Sequence, residues 1–127
     1  MNEAELLART KDFGKRVLRL VEVLPRTRTG NIIANQLGRS GTSVGANYRA
    51  ACRARSRADF ISKLGIVEEE ADESGFWLEL LAEEEILPEP KLRPLPEEAH
   101  ALTAIMVSSR RTLAGLRPKS KNLKSKT

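Results

Sequence analysis

The chain has little aromatic character, one cysteine, one histidine and no long apolar run. Its 127 residues include only three Phe, one Tyr and one Trp, so Leu, Ile, Val and Ala must form the core, a composition that suits helices packed on helices. The single cysteine, Cys52, excludes an internal disulfide and agrees with a reducing compartment. No stretch approaches the roughly 20 apolar residues that span a bilayer, and the charged first residues do not resemble a signal peptide. We therefore expect a cytoplasmic protein that is not embedded in a membrane.

The net charge of +5 conceals an uneven distribution. Residues 1–57 carry 12 basic and 4 acidic side chains, whereas residues 58–116 carry 5 basic and 13 acidic ones. Residues 117–127 add five basic side chains and no acid. This division into a basic half, an acidic half and a basic tail indicates how the protein associates with partners and not how it folds. We predict one domain at 1–116 followed by a disordered tail at 117–127.

Four segments place apolar residues at alternating intervals of three and four, the spacing of a helix that buries one face. The predicted buried seams are Leu6, Phe13, Val17, Leu20, Val21 and Leu24; Ile33, Leu37, Ser40, Val44, Asn47, Ala51 and Ala54; Phe60, Leu64, Val67, Ala71, Ser74, Leu78 and Leu81; and Leu95, Ala99, Leu102, Met106, Ser109, Leu113 and Leu116. Short connections favour antiparallel neighbours, so the predicted fold class is all-α, an antiparallel up-down four-helix bundle. Ser56 is the predicted cap of the third helix.

Small and polar residues interrupt the central seams. Gly41 and Gly45 have the spacing that lets two helices approach closely, either within one chain or between subunits. Ser40 and Asn47 fall on the second seam, where a buried polar group must find a hydrogen-bond partner. Glu68 lies beside the third seam and is expected to face Ser40 or Asn47 as a buried polar link that sets helix register. We predict that all five residues make contacts between helices.

Three apolar residues of the third helix, Ile66, Phe76 and Leu80, fall on the side away from its seam. A monomer would expose them to water, and clustered exposed apolar groups usually mark a partner surface. Together with the opposite charges of the two halves, they predict a homo-oligomer in which these three residues form the interface.

The candidate nucleic-acid contacts are basic side chains on the second helix and in the tail. The predicted set is Arg39, Arg49, Arg53 and Arg57, on one face of the second helix, with Lys119, Lys121, Lys124 and Lys126 of the tail. Such a row can bind the phosphates of RNA or DNA, and the scarcity of aromatic residues argues against reading of bases. The alternative is that the arginines pair with acids of the third helix, in the same or a neighbouring subunit. The protein would then be an interaction scaffold without nucleic-acid binding, for a protein partner that the sequence does not identify.

No constellation of catalytic residues stands out. A carboxylate-bridged metal site in a helix bundle needs two Glu-x-x-His pairs, and the chain has one, Glu97 and His100. Cys52 has no histidine nearby in sequence to activate it. Neither a phosphate-binding loop nor a nucleophile elbow is present. We predict a non-enzymatic protein with no catalytic residue, no metal and no cofactor.

Three stretches resemble a known family. They are residues 39–47, which read Arg-Ser-Gly-Thr-Ser-Val-Gly-Ala-Asn, residues 56–63, and residues 68–81, which contain a Trp-Leu pair at 77–78. In these stretches the chain resembles the bacterial four-helix bundle proteins encoded in 23S ribosomal RNA intervening sequences, and the resemblance covers about residues 11–116. One departure is Tyr48-Arg49-Ala50, where many members carry an aliphatic residue and a glutamate, so no role of an acid is transferred to this position.

The resemblance implies an antiparallel four-helix bundle that assembles into homo-oligomeric rings, commonly pentamers. It also implies a relationship to the accessory variability proteins of diversity-generating retroelements, which are pentameric barrels that bind nucleic acid and a reverse transcriptase. For most members the cellular role is unknown.

Overall fold

The computed structural model describes residues 1–115, and over that range it contains five α-helices and no strand. The helices are α1 (Glu3–Glu22), α2 (Arg28–Cys52), α3 (Arg57–Glu83), α4 (Glu89–Leu92) and α5 (Leu95–Leu113). The all-α fold class is therefore confirmed. The four long helices coincide with the four predicted segments, and α4 adds a single turn to the connection between α3 and α5. The predicted tail lies outside the described residues.

Side-chain caps define where three of the long helices begin. Asn2 and Glu5 form a reciprocal capping box at the start of α1, in which Glu5 N donates to Asn2 Oδ1 at 2.8 Å and Asn2 N donates to Glu5 Oε1 at 2.9 Å. Thr27 Oγ1 accepts from the backbone N–H of Gly30 and caps α2. Ser56 Oγ accepts from the N–H of Asp59 at 3.0 Å, which confirms the predicted cap of α3.

One core runs through the molecule between the four long helices. The predicted seam residues that are buried are Leu6, Phe13, Val17, Leu20, Leu24, Ile33, Leu37, Ser40, Val44, Ala51, Leu64, Val67, Ala71, Ser74, Leu78, Leu81, Leu95, Ala99, Leu102 and Met106. The main difference is on α2, where Gly41 and Tyr48 are buried and Asn47 is only half-buried. Ala54 follows the end of α2 instead of continuing it, and Leu87 and Leu92 of the α3–α5 connection join the core.

Helices α1 and α2 run antiparallel and approach closely at glycines. A Cβ atom built on Gly41 would lie 2.7 Å from Cγ1 of Val17, and one built on Gly45 would lie 3.1 Å from the carbonyl oxygen of Thr10. As the α2 residue number rises, its α1 partner number falls, which gives the antiparallel order. The close approach predicted for Gly41 and Gly45 is therefore a contact within one chain.

The other neighbouring helices are antiparallel as well. Gly65 of α3 faces the side chain of Arg110, near the end of α5, while Gly75 faces His100, near its start. Helices α2 and α3 are joined by residues 53–56 and meet again where the hydroxyls of Ser40 and Ser74 lie 3.0 Å apart. The order α1–α2–α3–α5 thus places each long helix against the next one in the chain.

Two predicted polar contacts are corrected by the structure. Asn47 does not reach another helix, because its side-chain Nδ2 donates to the carbonyl oxygen of Ser43 one turn earlier, at 2.9 Å. Glu68 does not face Ser40 or Asn47. Its carboxylate accepts from Nε of Arg110 at 3.0 Å and so joins α3 to α5. The polar contact that links α2 to α3 in the core is instead the Ser40–Ser74 pair.

A bidentate ion pair connects the first and last long helices. Nε and Nη2 of Arg9 donate to the two carboxylate oxygens of Glu98 at 2.7 and 2.8 Å. Paired guanidinium and carboxylate groups with this geometry form strong, directional contacts. The pair joins α1 to α5, which pack against each other less extensively than the other neighbouring long helices do.

Candidate nucleic-acid interface

The predicted row of four arginines on α2 is divided by the fold. Helix α2 ends at Cys52, with Arg53 as its C-terminal cap, and Arg57 is the first residue of α3. Of these four arginines, only Arg39 and Arg49 belong to α2. Arg39 contacts α3, whereas Arg49 lies on the side of α2 that faces α1. The row fails because the chain turns after Cys52, so the helical periodicity that would align the four side chains does not continue.

Arg39 is engaged by acids of α3 in the same chain. Its guanidinium donates to Oε1 of Glu70 at 3.2 Å and to Oε2 of Glu73. The hydrogen bond from Arg39 holds the pKa of Glu73 below its usual range, and Nε1 of Trp77 donates to the same carboxylate at 3.2 Å. Arg39 therefore follows the alternative in which an arginine pairs with the acidic helix.

Arg57 caps another helix. Its Nε and Nη2 donate to the carbonyl oxygen of Leu113, at 3.0 and 2.7 Å. Carbonyl groups at the end of an α-helix lack partners within the helix, and a cation placed there also complements the helix dipole. Arg57 thus stabilises the end of α5 by joining it to the start of α3.

Arg49 and Arg53 line a groove of about 650 Å³ between α1 and α2. Two lysines that sequence reasoning missed, Lys11 and Lys15 of α1, line the same groove. All four side chains are exposed, and none of them forms an ion pair with any residue in 1–115. The spacing of four between the lysines, which places both on one face of a helix, was the available signal in the sequence.

The remaining lining of the groove is largely apolar or small. Leu7 and Leu18 contribute apolar surface, and the Leu18 side chain is 50% exposed. Gly14, Gly45 and Ala46 are small residues that also line the groove, where α1 and α2 approach each other. Among residues 1–115, Glu3 is the single acid that lines the groove. The groove therefore combines an apolar floor with four cations and one anion.

Cys52 also borders the groove, beside Tyr48. Burial raises the pKa of the Cys52 thiol and of the Tyr48 phenol, and the nearby carboxylate of Glu3 acts in the same direction. Both groups consequently stay protonated at neutral pH. A thiol of raised pKa is a poor nucleophile.

The one histidine pairs with an acid across helices. Nε2 of His100 lies 2.9 Å from Oε2 of Glu79. Oε2 of Glu97, the acid of the Glu-x-x-His pair, lies instead 4.0 Å from Nη1 of Arg93. Within residues 1–115, no three His, Cys, Asp or Glu side chains are grouped closely enough to bind a metal ion. The helices of this range also lack the length and apolar character that a membrane crossing requires.

The predicted interface residues of α3 remain accessible in the single chain. Ile66 and Phe76 are 41% and 51% exposed, while Leu80 is half-buried. The ring of Phe76 packs edge-on against Trp77, with centroids 5.0 Å apart. The tail lysines Lys119, Lys121, Lys124 and Lys126 lie outside the described residues.

Comparison with known proteins identifies a solved structure with a similar fold and a matching family. A solved structure from Bacteroides thetaiotaomicron VPI-5482, described as a protein with unknown function from the S23 ribosomal protein family, is similar with a TM-score of 0.79. The two chains are 32% identical, and the match covers 87% of this chain and 99% of that one. A comparison with proteins of curated function found no match. The model of the 23S rRNA-intervening sequence proteins matches residues 2–108, and the chain belongs to that family.

Proposed function

We propose that this protein is a non-enzymatic, cytoplasmic, homo-oligomeric ring, with five copies as the expected number, which binds RNA or DNA without reading its sequence. The observation that carries the proposal is the α1–α2 groove, where Lys11, Lys15, Arg49 and Arg53 converge without acidic partners in residues 1–115. Exposed cations that are not engaged in ion pairs are available to replace the counterions of a phosphate backbone.

The composition of the groove supports binding without sequence specificity. Base recognition requires hydrogen-bonding groups or aromatic platforms that are free to contact bases. The one tyrosine of the chain, Tyr48, is buried, and the exposed ring of Phe76 belongs to α3 and not to the groove. Phosphate contacts by lysine and arginine are therefore the main interaction that the groove offers, and their affinity depends on salt.

Self-assembly is supported by the surface of α3. Ile66 and Phe76 leave apolar surface exposed beside several acidic side chains, and the family resemblance predicts a ring. A ring needs a head-to-tail contact between two different faces of the subunit. Under the proposal the acidic, partly apolar face of α3 meets a face outside the α1–α2 groove, so the groove stays open to nucleic acid.

The rival function is a protein-interaction scaffold in which the arginines form ion pairs between subunits. Arg39 favours this alternative, because it already pairs with Glu70 and Glu73 of α3 within the chain. If Arg49 and Arg53 meet the acids of a neighbouring subunit in the same way, they hold the ring together and are not available to phosphate. The two functions therefore predict different consequences of the same substitution.

The experiment compares Arg49→Glu/Arg53→Glu with Arg26→Glu/Arg28→Glu, a control of equal charge change at exposed positions outside the groove. Fluorescence anisotropy with a labelled single strand, from about 50 to about 200 mM salt, measures binding, and sedimentation velocity measures assembly. Under the proposal the groove variant loses binding and keeps the mass of the wild type, while the control keeps both. Loss of the assembly in the groove variant supports the scaffold, and absence of wild-type binding at low salt refutes nucleic-acid binding.

A further inference from the structure

We infer that the α1–α2 groove accommodates an extended single strand and that its four cations contact four successive phosphates. This inference rests on the proposed function and narrows its ligand from nucleic acid in general to single-stranded RNA or DNA. It follows from the register of the two helices and from the groups that line the groove.

Contacts between the helices set the order of the cations along the groove. A Cβ atom on Gly45 would lie 3.2 Å from the backbone nitrogen of Lys11, so these residues are at the same level. Because the helices are antiparallel, Arg49 is then level with Leu7, and Arg53 is level with Glu3. The influence of the Glu3 carboxylate on the pKa of Cys52 agrees with this register. Along the groove the cations therefore follow one another as Arg53, Arg49, Lys11 and Lys15.

The spacing of these cations is regular. Measured along the helix axes, each step corresponds to four residues, or about 6 Å, so the four cations, two from each helix, extend over about 18 Å of groove. This interval is close to the distance between neighbouring phosphates in an extended strand. In a duplex each strand winds around the axis as it advances by about 3.4 Å per phosphate, so its successive phosphates depart from a straight line. A straight track of four cations is therefore better matched to a single strand than to a duplex.

The apolar groups beside the cations favour contacts with bases of any sequence. Leu7 and Leu18 offer apolar surface against which an unstacked base can pack. The hydroxyl of Thr42 already donates to the carbonyl of Gly38 at 2.7 Å, and that of Thr10 donates to Leu6 at 2.7 Å. These hydroxyls are thus committed as donors within their own helices. Glu3 marks the end of the track beside Arg53, where its charge disfavours a further phosphate.

The test uses the full chain with oligo(dT) and oligo(U) of about two to about ten nucleotides, and a duplex of matched length. Affinity should rise steeply up to about four or five nucleotides and more slowly beyond, and the single strand should bind more tightly than the duplex. Lys11→Gln and Lys15→Gln should each weaken single-strand binding about fivefold near 0.1 M salt and lower the slope of log affinity against log salt by about 0.7. Lys91→Gln, an exposed lysine on α4, is the matched control and should change neither quantity.

Three outcomes overturn the inference. Equal or tighter duplex binding would show that the ligand is not specifically a single strand, although the proposed function would survive if Arg49→Glu/Arg53→Glu still abolished that binding. If the slope of log affinity against log salt were unchanged in the lysine variants, the claim that Lys11 and Lys15 contact phosphates would be refuted. Nucleic-acid binding elsewhere on the protein would not be refuted by this result. A change in sedimentation coefficient in place of a change in affinity would mean that a second copy of the chain occupies the groove.

Discussion

Replacing Gly41 by alanine tests the close approach of α1 and α2 more directly than any other single change. The new Cβ atom would lie 2.7, 2.8 and 2.9 Å from Cγ1, Cγ2 and Cβ of Val17, which is fully buried. Those distances are far below normal carbon contacts, and a β-branched side chain on a packed helix has little freedom to move. Because a change of rotamer moves only the two Cγ atoms and leaves the contact with Cβ of Val17, the helices must separate.

Two opposing terms set the magnitude. Alanine is favoured over glycine in a helix by about 0.5–1 kcal/mol, whereas overpacking of a tight core typically costs about 1–3 kcal/mol. Because three atoms of Val17 clash at once, we place the steric cost in the upper half of that range. Gly41→Ala should then destabilise the protein by about 1–2.5 kcal/mol in urea unfolding followed by helical circular dichroism at fixed protein concentration.

Gly38→Ala supplies the matched control, because a Cβ atom at Gly38 meets nothing within 4 Å. It carries the same gain in helix propensity in the same helix, so it should stabilise the protein by about 0.5–1 kcal/mol. The difference between the two variants isolates the clash. In a Val17→Ala background the cost of Gly41→Ala should shrink by at least about 1 kcal/mol. If Gly41→Ala were as stable as Gly38→Ala, the described contact between α1 and α2 would be refuted.

Three further predictions concern other contacts. Phe76→Glu should dissociate the proposed oligomer without loss of helix, and sedimentation showing that the variant keeps the oligomeric mass would contradict the proposed interface. The pKa of Glu73 is depressed by its hydrogen bond with Arg39, so the pair stabilises the fold fully above the ordinary carboxyl pKa, and this contribution is lost as pH falls through the lower folded value. Urea unfolding of Glu73→Gln should accordingly show a smaller decline in stability below about pH 4.5 than the wild type, and an identical decline would argue against the pair. Ser74→Ala removes the partner of the buried Ser40 hydroxyl and should cost about 1 kcal/mol in the same assay, whereas no loss would indicate that the pair is neutral.

The buried seams could be predicted from the sequence because burial follows helical periodicity within each segment. The error at Asn47 and Tyr48 has a physical origin in that same rule. A strict alternation of three and four has a period of 3.5 residues, whereas an α-helix has 3.6 residues per turn and drifts by about 20° per seven residues. Along the 25 residues of α2 the drift brings Gly41 and Tyr48 into the core and turns Asn47 toward its edge.

The candidate site was less accessible to sequence reasoning, because it depends on how helices pair. The four-arginine row required α2 to continue beyond Cys52, although the predicted cap at Ser56 already placed Arg57 in the next helix. The sequence around Arg53 contains no glycine or proline that marks where α2 ends. Lys11 and Lys15 become relevant only when α1 lies beside α2. The partners of Arg39 and Glu68 likewise depend on which face of α3 meets α2 and which meets α5, and the periodicity of α3 alone does not determine this.

The hydrogen bonds from Arg57 to the carbonyl of Leu113 have a practical consequence for handling the protein. They bring the end of α5 to the start of α3, close to Arg53, and Arg53 is level with Glu3 near the start of α1. Both ends of the described bundle therefore emerge beside the same mouth of the groove. An affinity tag or fluorescent label joined directly to residue 1 would sit there, so binding should be measured on untagged protein. The same proximity makes the molecule a good subject for circular permutation, with new ends opened between the exposed Glu84 and Glu85 that follow α3.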